Sequence, residues 1–149
     1  MKLSIIIKKA YSEAIKASKV GEVPVGAVVF DENLIISSAH NLCNYNNDPL
    51  AHAEVIALKK AAKKLKKKNL NDYMLYITLE PCLVCSYIIS KYRINTIYFG
   101  AYDIKNGSLE NGLKIFNNLS NIYKPKVYGG IGINYSAKLL KETFKKKRK

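Results

Sequence analysis

The sequence predicts an α/β fold in which one mixed sheet is covered by helices on both faces. Three observations carry that prediction. Stretches of helical periodicity alternate with short apolar runs of strand character along the 149 residues. No internal repeat and no linker divides the chain, so residues 1–149 are expected to form a single domain. The hydrophobic fraction of 48% is ordinary for a globular core, and no apolar stretch approaches the ~18 residues of a membrane span.

Taken in order, residues 4–19 read as a helix with Ile7, Ala10, Tyr11, Ala14, Ile15 and Ala17 on its apolar side. Residues 25–30 form a buried-strand run, Asp31-Glu32-Asn33 a turn, and residues 34–39 a second strand, which together make a hairpin. HNLCNYNNDPL, residues 40–50, is polar and turn-rich and reads as a loop. A helix over 51–65 follows from composition and from the Val55, Leu58, Ala62, Leu65 spacing, and a basic stretch over 63–68 closes it. Residues 73–79 are a short strand. Pro81 stands where a helix can begin, and CLVCSYIISKY continues as that helix. Residues 94–100 read as a buried strand. Residues 101–123, rich in Asn and Gly, read as a loop with a short helix over 109–116. A last strand over 126–128 and a terminal helix over 135–147 with a basic tail complete the chain.

The formal net charge of +14 suits a polyanionic partner such as nucleic acid. Its makeup tempers that inference: 23 lysines stand against two arginines, alongside many Asn, Ile and Tyr, a bias that A/T-rich codons also produce. The odd number of cysteines, three, makes no disulfide framework and fits a reducing compartment. Lys8 and Lys9 interrupt the first apolar run and no small-residue cleavage site follows, so no secretory signal is expected and the chain reads as cytoplasmic.

Cys82 and Cys85, three residues apart at a helix start, project from one face. The positive end of a helix favours thiolates, and thiolates suit Zn²⁺. Two sulfurs leave a tetrahedral site unfilled. His52, at the start of the preceding helix, is the donor that completes a set of three and leaves one position open, the mark of a catalytic zinc. Glu54, two residues on, does not share the His52 face and is free to carry protons at that open position. A lone Cys-x-x-Cys also serves as a redox pair, and a lone His is more often structural. Together, His-x-Glu and Pro-Cys-x-x-Cys match the signature of zinc deaminases. Cys43 reads as a plain loop thiol.

At these residues the chain resembles the cytidine deaminase superfamily and, more closely, the bacterial tRNA-specific adenosine deaminases. The closer likeness rests on EVPVGAVV (22–29), DPLAHAE (48–54), LEPCLVC (79–85) and FGAYDIKNGS (99–108). It implies a three-layer α/β/α fold with a central mixed five-stranded sheet, one Zn²⁺ per subunit held by His52, Cys82 and Cys85, and a homodimer that grips a tRNA anticodon stem-loop. The implied reaction converts the wobble adenosine to inosine. Glu54 would take a proton from the attacking water and deliver it to the purine ring, and ammonia would leave after a second transfer.

By the same resemblance Asn41 is the pocket amide for the flipped nucleotide and the Ala53 N–H a donor to the base. Val23 and the 79–81 turn, Pro81 included, wall the base, and Asp103 lies near the flanking nucleotides. Each has a plainer reading. Asn41 can brace a turn, Val23 can open a strand, and Asp103 can be a turn residue. The lysine clusters 63–68 and 145–149 serve either as solvated surface or as phosphate contacts. The chain departs from the family pattern over 43–47 and 101–123, both asparagine-rich and both in loops expected to face substrate.

Three other functions compete. A deaminase of a free nucleobase or nucleoside, guanine or cytosine for instance, would use the same chemistry. A zinc-stabilised RNA-binding module would need no carboxylate beside an open coordination position, so Glu54 discriminates against it. A redox protein would bind no zinc.

Overall fold

The computed structural model describes residues 2–135 together with 138 and 141. Elements run in the order α1 (Leu3–Lys19), β1 (Gly26–Phe30), β2 (Ile35–His40), α2 (Ala53–Leu65), β3 (Met74–Leu79), α3 (Leu83–Lys91), β4 (Thr96–Ala101), α4 (Ile115–Asn118) and β5 (Lys126–Tyr128). The strands form one five-stranded sheet in the order β2-β1-β3-β4-β5. β1 pairs antiparallel with β2 and with β3, whereas β3–β4 and β4–β5 are parallel. The sheet is therefore mixed and five-stranded, as expected. α3 joins β3 to β4 and the segment containing α4 joins β4 to β5, because parallel neighbours need a crossover rather than a turn.

Alternation along the strands divides the core into two layers. Ala27, Val29, Leu75, Ile77, Ile97 and Phe99 pack with Ala57, Leu58 and Ala61 of α2 and Ile89 of α3. Val28, Phe30 and Tyr76 pack on the other side with Ile6 and Ala10 of α1. Burying each large side chain of this kind contributes roughly 1.5–3 kcal/mol, and the two-sided burial accounts for strands that read as apolar runs. α1 lies tight against β1. A Cβ at Gly26 would overlap the Ala10 carbonyl oxygen, so only glycine lets the helix come this close.

The buried stripe of α1 is Ile6, Ala10, Glu13, Ala14 and Ala17. Glu13 is a carboxylate in an otherwise apolar row, compensated by His40 Nδ1 at 2.6 Å, Lys16 Nζ at 3.2 Å and Ser38 Oγ at 3.3 Å.

One element departs from expectation. The short helix read over 109–116 is instead α4, Ile115–Asn118. The backbone N–H groups of Leu109, Glu110 and Asn111 go to the carboxylate of Glu80, which holds this stretch as a loop against the segment after β3. Positive φ at Gly112 and Lys114 then delays the helical turn. The terminal helix read over 135–147 lies, beyond 135, almost wholly outside the described residues; residues 133–135 are helical. No helix among the described residues is long and apolar enough to cross a membrane.

Candidate active site

Two helix starts meet at one point. His52 is the N-cap of α2 and Cys82 the N-cap of α3, both with extended backbone. Their carbonyls accept the first helical bonds, from Ile56 N–H at 3.1 Å and Ser86 N–H at 2.9 Å. β2 and β3 flank β1 and both run antiparallel to it, so the carboxyl ends of β2 and β3, and the segments that lead from them into α2 and α3, lie at the same end of the sheet. His52 Nδ1 lies 3.0 Å from Cys85 Sγ and 3.8 Å from Cys82 Sγ.

The donor atoms of His52, Cys82 and Cys85 all lie within 4.8 Å of one another. Tetrahedral zinc, with bonds of about 2.3 Å to sulfur and about 2.0 Å to nitrogen, sets its nitrogen and sulfur ligands about 3.5 Å apart. The observed spacings straddle that value, and the residues fit the ion.

Charge is arranged to match. A hydrogen bond from the Cys85 thiol, with help from His52, overcomes burial and brings the Cys82 thiol down to about 4. That same bond, together with burial, pushes Cys85 up. The contact with Cys82 and the charge of Glu54 raise His52 against the opposing effect of burial. A divalent cation held here would favour both sulfurs as thiolates. Glu54 is 4% exposed, and burial raises its carboxyl to about 7.

A cavity of about 510 Å³ opens onto the cluster, lined by Val23, Asn41, His52, Ala53, Glu54 and Asp103 together with neighbouring residues. Asn41 does two things. Its Oδ1 accepts the Cys43 N–H at 3.0 Å, bracing the turn, and the residue borders the cavity. Ala53, first residue of α2, has no carbonyl four residues back inside the helix to take its N–H. Val23 is 41% exposed at the rim. Asp103 borders the cavity and spends Oδ1 on the Asn106 N–H at 3.0 Å.

Pro81 does not line the cavity. Its carbonyl accepts the Ser108 N–H at 3.1 Å, while Leu79 from the same turn faces the opening. Cys43 is half-buried, and burial raises its thiol.

Two residues that sequence reasoning passed over hold the walls in place. Glu22 is 1% exposed and accepts the N–H groups of Asn44 at 3.2 Å and Tyr45 at 2.8 Å, fixing the loop between β2 and α2. Glu80, 2% exposed, grips the loop after β4. The available signal was position: each is an acidic residue set among apolar neighbours within a motif segment.

With this geometry established, comparison with known proteins is informative. The chain matches the family model described as MafB19-like deaminase over residues 1–148. It is 42% identical over 144 residues to a tRNA-specific adenosine deaminase of Rickettsia felis, covering 95% of this chain and 100% of that one. A solved structure from biochemical and structural studies of A-to-I editing by tRNA:A34 deaminases at the wobble position of transfer RNA superimposes with a TM-score of 0.89. It is 35% identical and covers 91% of this chain and 99% of its own. A guanine deaminase structure from Nitrosomonas europaea shares the fold alone, at TM-score 0.81 and 20% identity, covering 93% of this chain and 82% of its own.

Proposed function

The chain belongs to the MafB19-like deaminases and to the tRNA-specific adenosine deaminases, and on that footing we propose that it converts the wobble adenosine of a tRNA anticodon to inosine. Water is consumed and ammonia released. The observation that carries the reading is Glu54, buried beside the His52–Cys82–Cys85 cluster at the floor of an open cavity.

His52, Cys82 and Cys85 are the residues that would hold zinc, which when bound supplies Lewis acidity that makes water a competent nucleophile near neutral pH. Glu54 takes a proton from the attacking water and hands it to the purine ring as C6 is attacked. A second transfer gives the departing amine its proton. Both need a carboxyl that gains and loses protons readily, and burial is what raises Glu54 toward neutrality. Asn41 and the Ala53 N–H hold the flipped nucleoside, Val23 and Leu79 flank the base, and Asp103 faces the neighbouring nucleotides.

The enzyme acts as one domain in the cytoplasm and as a homodimer. Leu83, Val84 and Tyr87 of α3 are exposed beside the cavity and support that assembly. The net charge of +14 supports an anionic substrate larger than a free base. The test compares an anticodon stem-loop bearing the target adenosine with free adenosine, guanine and cytidine. The stem-loop should react far faster, and steeply slower as salt rises. Efficient turnover of a free base with no salt effect would instead place the enzyme among nucleobase deaminases.

A further inference from the structure

Glu80 stands two residues before the first cysteine ligand, yet its carboxylate turns away from the cluster and into the loop that follows β4. Oε1 accepts the Asp103 N–H at 3.1 Å and Asn111 Nδ2 at 2.7 Å. Oε2 accepts the N–H groups of Leu109 at 3.0 Å, Glu110 at 2.8 Å and Asn111 at 3.1 Å. A carboxylate offers about four lone-pair sites, so these five donors saturate it and leave no vacancy for a substrate. Gly107 closes over it so tightly that a Cβ there would overlap the Glu80 carboxylate and the Asp103 carbonyl.

The grip has consequences at both ends. Glu80 lies between Leu79 and the metal-ligand helix start and borders the cavity itself. The loop it holds carries Asp103 and Asn106, both on the cavity wall. A bridge between Cys82 and Gly107 and a hydrogen bond of 2.9 Å between Ser108 Oγ and Ser86 Oγ tie the same loop to α3. The wall that would meet nucleotides beside the target is thus indexed to the metal ligands, and one buried side chain accepts five of the hydrogen bonds that hold it there.

We propose that Glu80 is a positioning residue that sets recognition of the nucleotides flanking the target by holding Asp103 and Asn106 in register with the metal site. The proposal rests on the deaminase reading above. Glu80 is not a second proton carrier, because its oxygens are already occupied, and it acts on specificity rather than on the chemical step.

The test uses Glu80→Gln, which keeps the shape and sets an amide donor against N–H donors, and Asn111→Ala, which removes one donor from a partly exposed site. Both are purified with zinc content measured. They are assayed on two anticodon stem-loops that differ only in the nucleotides beside the adenosine.

For Glu80→Gln, KM should rise about tenfold or more and kcat change by less than about threefold, with zinc retained. The preference between the two loops should collapse toward parity. Asn111→Ala should shift KM and preference in the same direction by a smaller factor.

A fall of about 10² or more in kcat at unchanged KM would make Glu80 a proton carrier and overturn the proposal. Unaltered kinetics in both variants would overturn it too. So would loss of zinc or folding in Glu80→Gln with Asn111→Ala indistinguishable from the parent, which would mark a mere brace. Anisotropy of the labelled stem-loops reads the same preference without turnover. Flank-sensitive binding by a parent protein that forms no inosine would therefore refute the deamination reading and leave Glu80 to be judged on binding alone.

Discussion

Glu54→Gln isolates proton transfer from everything else the site does. The amide has nearly the size of the carboxyl, so the cavity and the cluster beside it are kept. The structure offers no substitute for the lost group. His52 and Cys82 belong to the group placed to hold a metal, Glu80 already accepts five hydrogen bonds, and Asp103 spends Oδ1 on the Asn106 N–H. General acid/base catalysis is worth ~10²–10⁴, and a residue that serves two successive transfers belongs at the upper end. The expected loss is about 10⁴ in the single-turnover rate, close to 5 kcal/mol of barrier. The assay mixes excess enzyme with an anticodon stem-loop and quantifies inosine after digestion to nucleosides. Zinc content and RNA affinity are measured in parallel, and both should match the parent. A rate within tenfold of the parent with zinc in place would refute the assignment of Glu54 as the proton carrier. Loss of zinc in this variant would contradict its separation from the ligand set.

Replacing either sulfur ligand should be harsher. Cys82→Ser or Cys85→Ser should fall from about one zinc per chain to well under half and lower the unfolding temperature, because bound metal contributes to folding; elemental analysis and thermal melts check both. On the face of the sheet covered by α1, burial opposes the charge on Glu13, but the bonds from His40 and Lys16 outweigh it and hold the carboxyl below its usual 4.5. The unfolded chain therefore binds more protons than the folded one in that range. The stability Glu13 contributes is fully present above pH 4.5 and is lost as pH falls through its lower folded value. Glu13→Gln should flatten that acid limb in denaturant titrations, and an unchanged pH dependence would count against the ion cluster.

The parts of the site that were legible in the sequence are local ones. His-x-Glu and Pro-Cys-x-x-Cys each occupy one helix start, so short-range rules of capping and spacing place them correctly. Which of those starts face each other follows from β2 and β3 running in the same direction on either side of β1, and no local pattern of residues encodes that strand order. The contribution of Glu22 and Glu80 was not legible. Their partners lie 22 to 31 residues away, and the acceptor role is defined only once the loops are folded. The helix near residue 110 was misplaced because Gly112 and Lys114 adopt positive φ, which interrupts a right-handed helix, so the helical turn begins only at Ile115. Pro81 was assigned to the base wall from its place in the motif, whereas Leu79 and Glu80 of the same turn border the cavity and the proline's carbonyl accepts the Ser108 N–H.

The central claim, deamination of the wobble adenosine in tRNA, is tested most directly by incubating the purified zinc-loaded protein with total tRNA and sequencing the anticodons for inosine. The account predicts inosine at the first anticodon position of a restricted set of tRNAs, absent with Glu54→Gln. Total tRNA left unchanged, while the same preparation deaminates a free base, would contradict it.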